Sequence, residues 1–333
     1  MGQSTDHRDH EPHLKDESGA VEEDVYTHRI TVERPISFVP QRVVSLVPSL
    51  TESLFDLDLG ERLIAVTDYC IRPEAGVARL PKVGGTKNPD IPRIIGLKPD
   101  LVILNREENR KPDADALEAA GIEVWVTEPN TVREALDLLW LIMDVFEHPK
   151  MVHRVRNIEI TYEQTLRYMT TDTALLRTFV PIWRDPWMSF NEQTYIHDLL
   201  YSCGALNIFA QRERQFPLKA DLGQDSPLTT DDPRVEGRDT RYPRISLEEV
   251  IAAQPELILL PDEPYPFGER DKDEIVQLLA GTPAVKSNQV YVVDGSYLTW
   301  HGTRLAYALN ELPPLVAAAR DANRNPDHKV SAE

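Results

Sequence analysis

The 333-residue chain carries 36 Lys and Arg against 55 Asp and Glu, which gives a formal net charge of −19 at pH 7. A phosphate backbone needs a dense cationic face, so this balance argues against nucleic acid as a partner, and equally against an anionic lipid surface. No stretch is long and apolar enough to predict a membrane span. The two cysteines, Cys70 and Cys203, match no zinc spacing and are expected to be free thiols.

Residues 1–24 are polar and acidic without apolar periodicity, which predicts a disordered tail. They lack the apolar core of a secretion signal, so the chain as written is expected to be cytoplasmic or to be without its leader. Residues 25–33 (VYTHRITVE) alternate apolar and polar side chains, as an added edge strand does.

From Arg42 onward, short aliphatic runs alternate with helical patterns, which is typical of a parallel sheet covered on both faces. Ser49 or Thr51 is expected to cap the first of these helices, and Gly121 to follow the end of the third. The predicted elements of this half are strands at 42–47, 63–67, 100–104 and 122–127, with helices at 50–58, 90–97 and 113–120.

The middle of the chain is helical in pattern. Leucines recur at helical spacing over 131–146, and the periodic run over 150–170 predicts a helix of about 20 residues, about 30 Å long. That length allows it to run along both halves of the molecule. We therefore expect a first α/β lobe at 25–146, a connecting helix at 147–170 and a second α/β lobe at 171–325.

In the second lobe the alternation of strands and helices resumes. Residues 213–243 are rich in Pro, Asp, Gly and Arg and predict an insertion loop. Ser246 and Glu249 have the spacing of a capping box. The predicted elements are strands at 177–183, 256–260 and 289–294, with helices at 195–204, 245–253, 271–280 and 303–320.

Two stretches read almost the same: RIIGLKPDLVIL (93–104) and EVIAAQPELILL (249–260). In each, a proline ends a helix and directs the chain into a buried strand, because proline lacks an N–H and restricts the residue before it. The long helix lies between the copies, which favours two lobes of like design. The alternative is that helix, proline and strand follow one another in many α/β proteins.

The chain resembles the helical-backbone substrate-binding proteins of ABC importers, which capture cobalamin, siderophore-bound iron or haem. The resemblance runs from Arg42 to Arg320 and rests on RVVSLVPSLTE, TDYC, LPKVGGTKNPD, RIIGLKPDLVIL and RYPRISLEEVIAAQPELILLP. The VPSLTE and TDYC segments are most similar to the cobalamin-binding branch. The resemblance implies an α/β fold with two similar lobes, parallel sheets, one long backbone helix and a ligand cleft between the lobes.

The resemblance also implies a ligand site. A flat, partly apolar metal chelate gains most from aromatic surfaces and a few polar groups. Tyr69 and Trp187 match family positions that face the ligand, and the alternative interpretation is that each ring fills the core. For Tyr242 and Trp300 we give these two interpretations equal weight. The full candidate set is Tyr69, Lys87, Asn88, Asn105, Arg106, Trp187, Tyr242 and Trp300.

Receptors of this kind dock on their permease through one acidic residue on each lobe. Glu248 matches that position in the second lobe, whereas the first lobe has Pro92 there and Asp90 as the nearest carboxylate. Family aromatics are replaced near Lys87 and at Asn105, so the cleft is expected to be more polar. By family the protein is expected to be a periplasmic or otherwise extracytoplasmic monomer whose partners are a small metal chelate and an ABC permease.

The motifs of common enzymes, including the P-loop and the zinc and serine hydrolase patterns, do not occur in the sequence. We therefore expect binding without catalysis, no cofactor and no resident metal; His301 is interpreted as a hydrogen-bonding residue. Two alternatives stay open: the same fold binding a ferric siderophore or haem, and a cytosolic corrinoid-handling factor or enzyme built on it.

Overall fold

The computed structural model describes residues 35–170, 174–229 and 231–324, so the predicted tail at 1–24 and the strand at 25–33 lie outside it. The strands are β1 Val43–Ser45, β2 Leu63–Val66, β3 Gly84–Gly85, β4 Asn88–Pro89, β5 Leu101–Asn105, β6 Glu123–Thr127, β7 Leu176–Phe179, β8 Ala205–Asn207, β9 Leu257–Pro261 and β10 Val290–Val293.

Helices connect most of these strands. They are α1 Pro48–Asp56, α2 Glu74–Val77, α3 Ile91–Leu97, α4 Lys111–Ala119, α5 Val132–Val145, α6 Val152–Thr170, α7 Tyr195–Ser202, α8 Leu218–Asp221, α9 Leu247–Ala253, α10 Glu269–Leu278, α11 Pro283–Lys286, α12 Ser296–Thr299 and α13 Leu305–Arg324. Within the described ranges, none of them combines the length and hydropathy that crossing a lipid bilayer requires.

Eight of the ten strands in the described ranges form two separate four-stranded sheets of the same design, and β3 and β4 pair as an antiparallel hairpin. One has the order β2-β1-β5-β6 and the other the order β8-β7-β9-β10, and every neighbouring pair in both is parallel. Numbered along the chain within each sheet, both read 2-1-3-4. Parallel neighbours need crossover connections, which the helices supply. The predicted fold of two similar α/β lobes is confirmed.

The two similar sequence stretches occupy equivalent places in these sheets. α3 and α9 are each followed by a left-handed residue, Lys98 with φ 50° and Gln254 with φ 49°, and then by a proline. The chain next enters the third strand of its sheet, β5 or β9. Both helices also begin with a side-chain cap, from Asp90 in the first lobe and Ser246 in the second.

The left-handed residues Lys98 and Gln254 lead to the same prediction for both lobes. Replacing Lys98 or Gln254 with glycine is expected to raise the free energy of unfolding by about 0.5–1 kcal/mol each, because a side chain in the left-handed region costs about 1–2 kcal/mol. Urea denaturation of each variant measures it. The control, Ala252→Gly inside α9, should shift stability the opposite way. A loss at Lys98 or Gln254 would contradict the prediction.

The structure corrects two local predictions. Neither Ser49 nor Thr51 caps α1: the helix begins at Pro48, after Val47, without a side-chain cap. A proline at the first helical position needs no N–H partner, so Pro48 opens the helix, and β1 has already ended at Ser45. The insertion at 213–243 is largely loop as predicted, but it contains the short helix α8. Cys70 and Cys203 are free and buried, as expected.

α6 joins the lobes and packs against both. It contacts α5 of the first lobe and α7 and α13 of the second. Its Glu159 is fully buried and receives hydrogen bonds of 2.8 Å from Arg133 of α5 and from Arg156. One cluster of buried apolar side chains continues through both lobes around it, from Leu50 and Leu139 to Leu199.

A second set of contacts joins the two lobes. The 3₁₀ turn Gly302–Arg304, before α13, lies against α1 of the first lobe. Arg304 donates to both carboxylate oxygens of Glu52 at 2.9 and 2.5 Å, and the two side chains are 5% and 9% exposed. The Ser53 hydroxyl oxygen accepts a hydrogen bond from the Thr303 N–H at 3.1 Å. These contacts therefore hold the two lobes together on this side.

Candidate ligand-binding cleft

The carboxyl ends of the two sheets face each other. Asn105, the last residue of β5, has its amide nitrogen 3.5 Å from Nε2 of His301, beyond β10. Arg72, which follows β2, pairs at 3.2 Å with Asp294, which follows β10. Open α/β sheets bind ligands beyond the carboxyl ends of their strands. The edge between the lobes is therefore the place where a cleft is expected.

A polar bridge crosses this edge. The Glu107 carboxylate accepts from Arg241 Nη1 at 2.5 Å and from the Tyr242 hydroxyl at 2.9 Å. Arg241 Nη1 also donates to Asn130 Oδ1 at 2.9 Å, and Lys87 Nζ donates to the Glu107 carbonyl at 2.5 Å. We call these five residues the Glu107 bridge. It fastens the insertion of the second lobe to two loops of the first.

Two asparagines shape the loop that carries Glu107. The Asn109 side chain accepts from the Asn105 N–H at 2.7 Å and donates to the carbonyls of Leu46 and Thr86. The Asn105 side chain, which is 4% exposed, accepts from the Glu107 N–H at 2.8 Å. The Asn105 side chain thus helps to fold the loop, and its contact with a ligand stays a prediction.

Glu108 lies beside this bridge among other carboxylates. Burial, followed by the charges of Glu107 and Glu263, raises its pKa to about 8 against the opposing charge of Lys87. Burial also raises the pKa of Glu263, whose carboxylate accepts from the Thr299 hydroxyl at 2.9 Å. At neutral pH Glu108 therefore holds its proton and can donate a hydrogen bond.

The raised pKa predicts a pH dependence of stability. Between the ordinary value of 4.5 and about 8, the folded protein keeps the Glu108 proton that the unfolded chain has released. The free energy of unfolding should therefore fall as pH rises, by up to about 1.4 kcal/mol per pH unit. Glu108→Gln should make this slope shallower in urea titrations between about pH 5 and pH 8, and the raised pKa of Glu263 should maintain part of it. As a control, Glu118→Gln at an exposed position should leave the slope of the free energy of unfolding unchanged. An unchanged slope in Glu108→Gln would refute the raised pKa of Glu108.

Three first-lobe candidates share one loop region. Tyr69 is 62% exposed, and a Cβ added at Gly85 would lie 3.2 Å from its ring. Lys87 and Asn88 are exposed on the β3–β4 hairpin beside it. Arg106 is exposed and pairs at 2.8 Å with Glu128, at the end of β6. The structure therefore brings Tyr69, Lys87 and Asn88 together and leaves Arg106 engaged elsewhere.

In the second lobe the exposed tryptophan is the neighbour of the predicted one. Trp187 is half-buried: its ring stacks on Phe267 with centroids 6.1 Å apart, and the Arg184 guanidinium lies 5.5 Å from its centroid. Trp183 is 44% exposed and meets Tyr265 edge to face at 5.8 Å. Both tryptophans belong to WRDPWMSF, and the sequence contains no signal that separates the open ring from the packed one.

The remaining aromatic candidates are largely enclosed. Tyr242 is half-buried in the Glu107 bridge, and burial raises the pKa of its phenol. Trp300 is 8% exposed, with the Arg304 guanidinium 5.9 Å from its ring centroid. His301 is 5% exposed, and burial lowers its pKa to about 4. Ligand contact by these residues stays a prediction, as it does for the others.

The two docking candidates differ in their surroundings. The Asp90 carboxylate accepts from the Arg93 N–H at 3.0 Å as the cap of α3. Glu248 is exposed in the first turn of α9. Asp90 therefore occupies the place of Ser246 in the repeated unit, not that of Glu248. As for metals, the described ranges hold no group of three His, Cys, Asp or Glu side chains that could bind an ion.

Known proteins resemble this chain in sequence and in fold. The vitamin B12-binding proteins of Yersinia pestis (strain Pestoides F) and Yersinia pseudotuberculosis (serotype O:1b, strain IP 31758) are each 29% identical to it over 177 residues. That match covers 53% of this chain and 63% of each relative, so it spans less than two thirds of their length.

Two solved structures share the fold across most of the chain. The periplasmic vitamin B12 binding protein BtuF of Vibrio cholerae superposes with a TM-score of 0.67 at 21% identity, covering 85% of this chain and 99% of that one. The periplasmic heme-binding protein RhuT from Roseiflexus sp. RS-1 does so with a TM-score of 0.64 at 21% identity, and with the same coverage. The family model described as periplasmic binding protein matches residues 43–297, well over half of the sequence. The chain belongs to the periplasmic binding protein family.

Proposed function

We propose that this protein captures cobalamin or a related corrinoid in the interlobe cleft and presents it to an ABC-type importer. The observation that carries the proposal is the pair of exposed aromatic rings, Tyr69 on one lobe and Trp183 on the other, at the facing ends of the two sheets. The family, and relatives named for vitamin B12, support this ligand class.

The chemistry of the cleft suits a flat macrocycle with polar side groups. Aromatic faces contribute about 0.5–1.5 kcal/mol per stacked pair beyond the area that they bury. Amide groups around a corrin ring need both donors and acceptors. Protonated Glu108 and the Lys87 ammonium supply donors, and Glu263 supplies acceptor oxygens. The Glu107 bridge closes one side, so the ligand would enter beside Tyr69 and Trp183.

Haem is the second candidate ligand. It is favoured by the heme-binding protein that shares the fold, and by the exposed phenol of Tyr69, since tyrosine is one of the axial ligands that haem iron accepts. His301 is a poor alternative ligand because it is enclosed between the lobes. A ferric siderophore would use the same cleft through its polar groups.

The test is a titration of the purified protein with cyanocobalamin, haem and ferric siderophores, followed by absorbance and calorimetry. We expect micromolar or tighter binding of cyanocobalamin, weakened at least about tenfold by Tyr69→Ala or Trp183→Ala. Tyr201→Ala is the matched control, because it removes a ring that is 51% exposed but lies at the end of α7. That helix leads into the amino end of β8, whereas the cleft lies at the carboxyl ends of the strands. Retention of none of the coloured ligands would refute the proposal.

Delivery to a permease is the further part of this proposal. Glu248 would be the main acidic contact on the second lobe, and Asp90 the weaker one on the first because it already caps α3. The protein would act as a monomer outside the cytoplasm. Glu248→Ala should then reduce uptake in cells without changing cyanocobalamin affinity.

A further inference from the structure

A cavity of about 450 Å³ lies in the second lobe, next to the segment that carries Arg241 and Tyr242 of the Glu107 bridge. Its walls are the loop before α7, the segment after β8 and the insertion at 213–243. None of the eight predicted ligand residues lines it. Pockets of about 300–1,000 Å³ hold small organic molecules. The insertion thus encloses enough space for a ligand of its own.

Two arginines meet one aromatic ring at this cavity. The guanidinium groups of Arg214 and Arg238 lie 5.0 and 5.1 Å from the ring centroid of Phe216, which is 7% exposed. In the part of the chain that the structure describes, neither guanidinium forms an ion pair with a carboxylate. Neither cation is therefore in direct contact with a described carboxylate, although Asp221 and Asp239 lie within electrostatic range of Arg214.

Arg214 is the more enclosed of the two. Its Nε is buried and has no hydrogen-bond partner among the described residues. Burial lowers its pKa, with Arg244 as the second cause. The carboxylates within electrostatic range are engaged elsewhere: Asp221 accepts from Arg212 and from backbone N–H groups, and Asp239 accepts from Arg241. A buried donor without a partner costs free energy that a bound anion would recover.

The other walls restrict the kind of anion. Pro227, Leu228 and Val235 are apolar, and the edge of the cavity is completed by Phe216, whose ring the two guanidinium groups cover. Glu192 and Glu213 also line the cavity, so a doubly charged group such as phosphate would be repelled. We propose that this cavity binds a small organic monocarboxylate, with the carboxylate on Arg214 and an apolar body against Leu228 and Val235.

The test uses the full chain and five probes: phenylacetate, its neutral isostere phenylacetamide, acetate, succinate and inorganic phosphate. Titrations followed by ligand-observed NMR should show saturable binding of phenylacetate. Phenylacetamide should bind about 10- to 100-fold more weakly, because it cannot form the charged hydrogen bonds to Arg214. Acetate should also bind more weakly, because it has no apolar body. Arg214→Gln should weaken phenylacetate binding by the same factor of about 10 to 100, because it removes the charged partner of the carboxylate.

Two further variants keep the test decisive. Arg234→Gln changes an exposed arginine of the same insertion, paired with Asp232, and should leave phenylacetate affinity unchanged. Leu228→Trp should fill the cavity and abolish binding even if Arg214→Gln were to misfold. Equal binding of phenylacetamide, stronger binding of phosphate, or no saturable binding of any carboxylate would overturn the proposal. Cyanocobalamin titrations should be unaffected by Arg214→Gln, which separates this site from the interlobe cleft.

Discussion

Glu52→Ala is expected to lower the free energy of unfolding by about 3–5 kcal/mol, because it leaves the Arg304 guanidinium buried without a counter-charge. Arg304 donates two hydrogen bonds to Glu52, and both side chains are less than one tenth exposed. Removing the carboxylate therefore leaves an uncompensated cation at the interface between the lobes. Urea denaturation followed by circular dichroism measures the change.

Two controls distinguish charge burial from simple loss of a contact. Lys111→Ala breaks an ion pair with Asp115 whose side chains are 83% and 52% exposed, and should cost no more than about 1 kcal/mol. The double variant Glu52→Leu with Arg304→Leu replaces the buried pair by apolar groups and should recover most of the loss. A Glu52→Ala effect as small as that of Lys111→Ala would mean that water reaches Arg304.

Gly302→Ala is expected to destabilise the protein by about 2–4 kcal/mol, the sum of a left-handed backbone cost and of local overpacking. Gly302 has φ 84°, a region that side chains rarely adopt. A Cβ there would also overlap the hydroxyl oxygen of Ser53 on α1. The turn and the helix would have to separate, at the point where the two lobes are pinned.

Gly96→Ala serves as the matched control, because Gly96 lies within α3 and an added Cβ would have nothing within 4 Å. It should stabilise the protein by up to about 1 kcal/mol. Adding Ser53→Ala to Gly302→Ala removes the overlapping hydroxyl and isolates the backbone cost. If Gly302→Ala melted at the wild-type temperature, the close approach of turn and helix would be wrong.

Local rules explain why much of the fold could be predicted from the sequence. A proline, a capping box and a run of aliphatic residues each act within a few positions, so the paired units around Pro99 and Pro255 were predictable. Pro48 shows the limit of such rules: a proline can end a strand or begin a helix, and here β1 ends earlier, at Ser45, while Pro48 begins α1. Short strands such as β7 also ended earlier than their apolar pattern indicated.

The cleft was harder to predict because its contacts join distant residues. Glu107 and Arg241 are 134 positions apart, and Glu52 and Arg304 are 252 apart. Nothing in the local sequence distinguishes these carboxylates from the many on the surface. The choice between Trp183 and Trp187 likewise depends on Phe267, which stacks on one ring and leaves the other open.

A core shared between two sheets makes the lobes thermodynamically inseparable. Leu101 and Leu257, from the two sheets, belong to one apolar cluster, with Leu139 and Leu309 between them. Cutting the chain after α6 would expose that surface to water on both fragments, so neither fragment would persist in its native shape. The whole molecule should accordingly show a single calorimetric endotherm, in which loss of the binding cleft coincides with global melting.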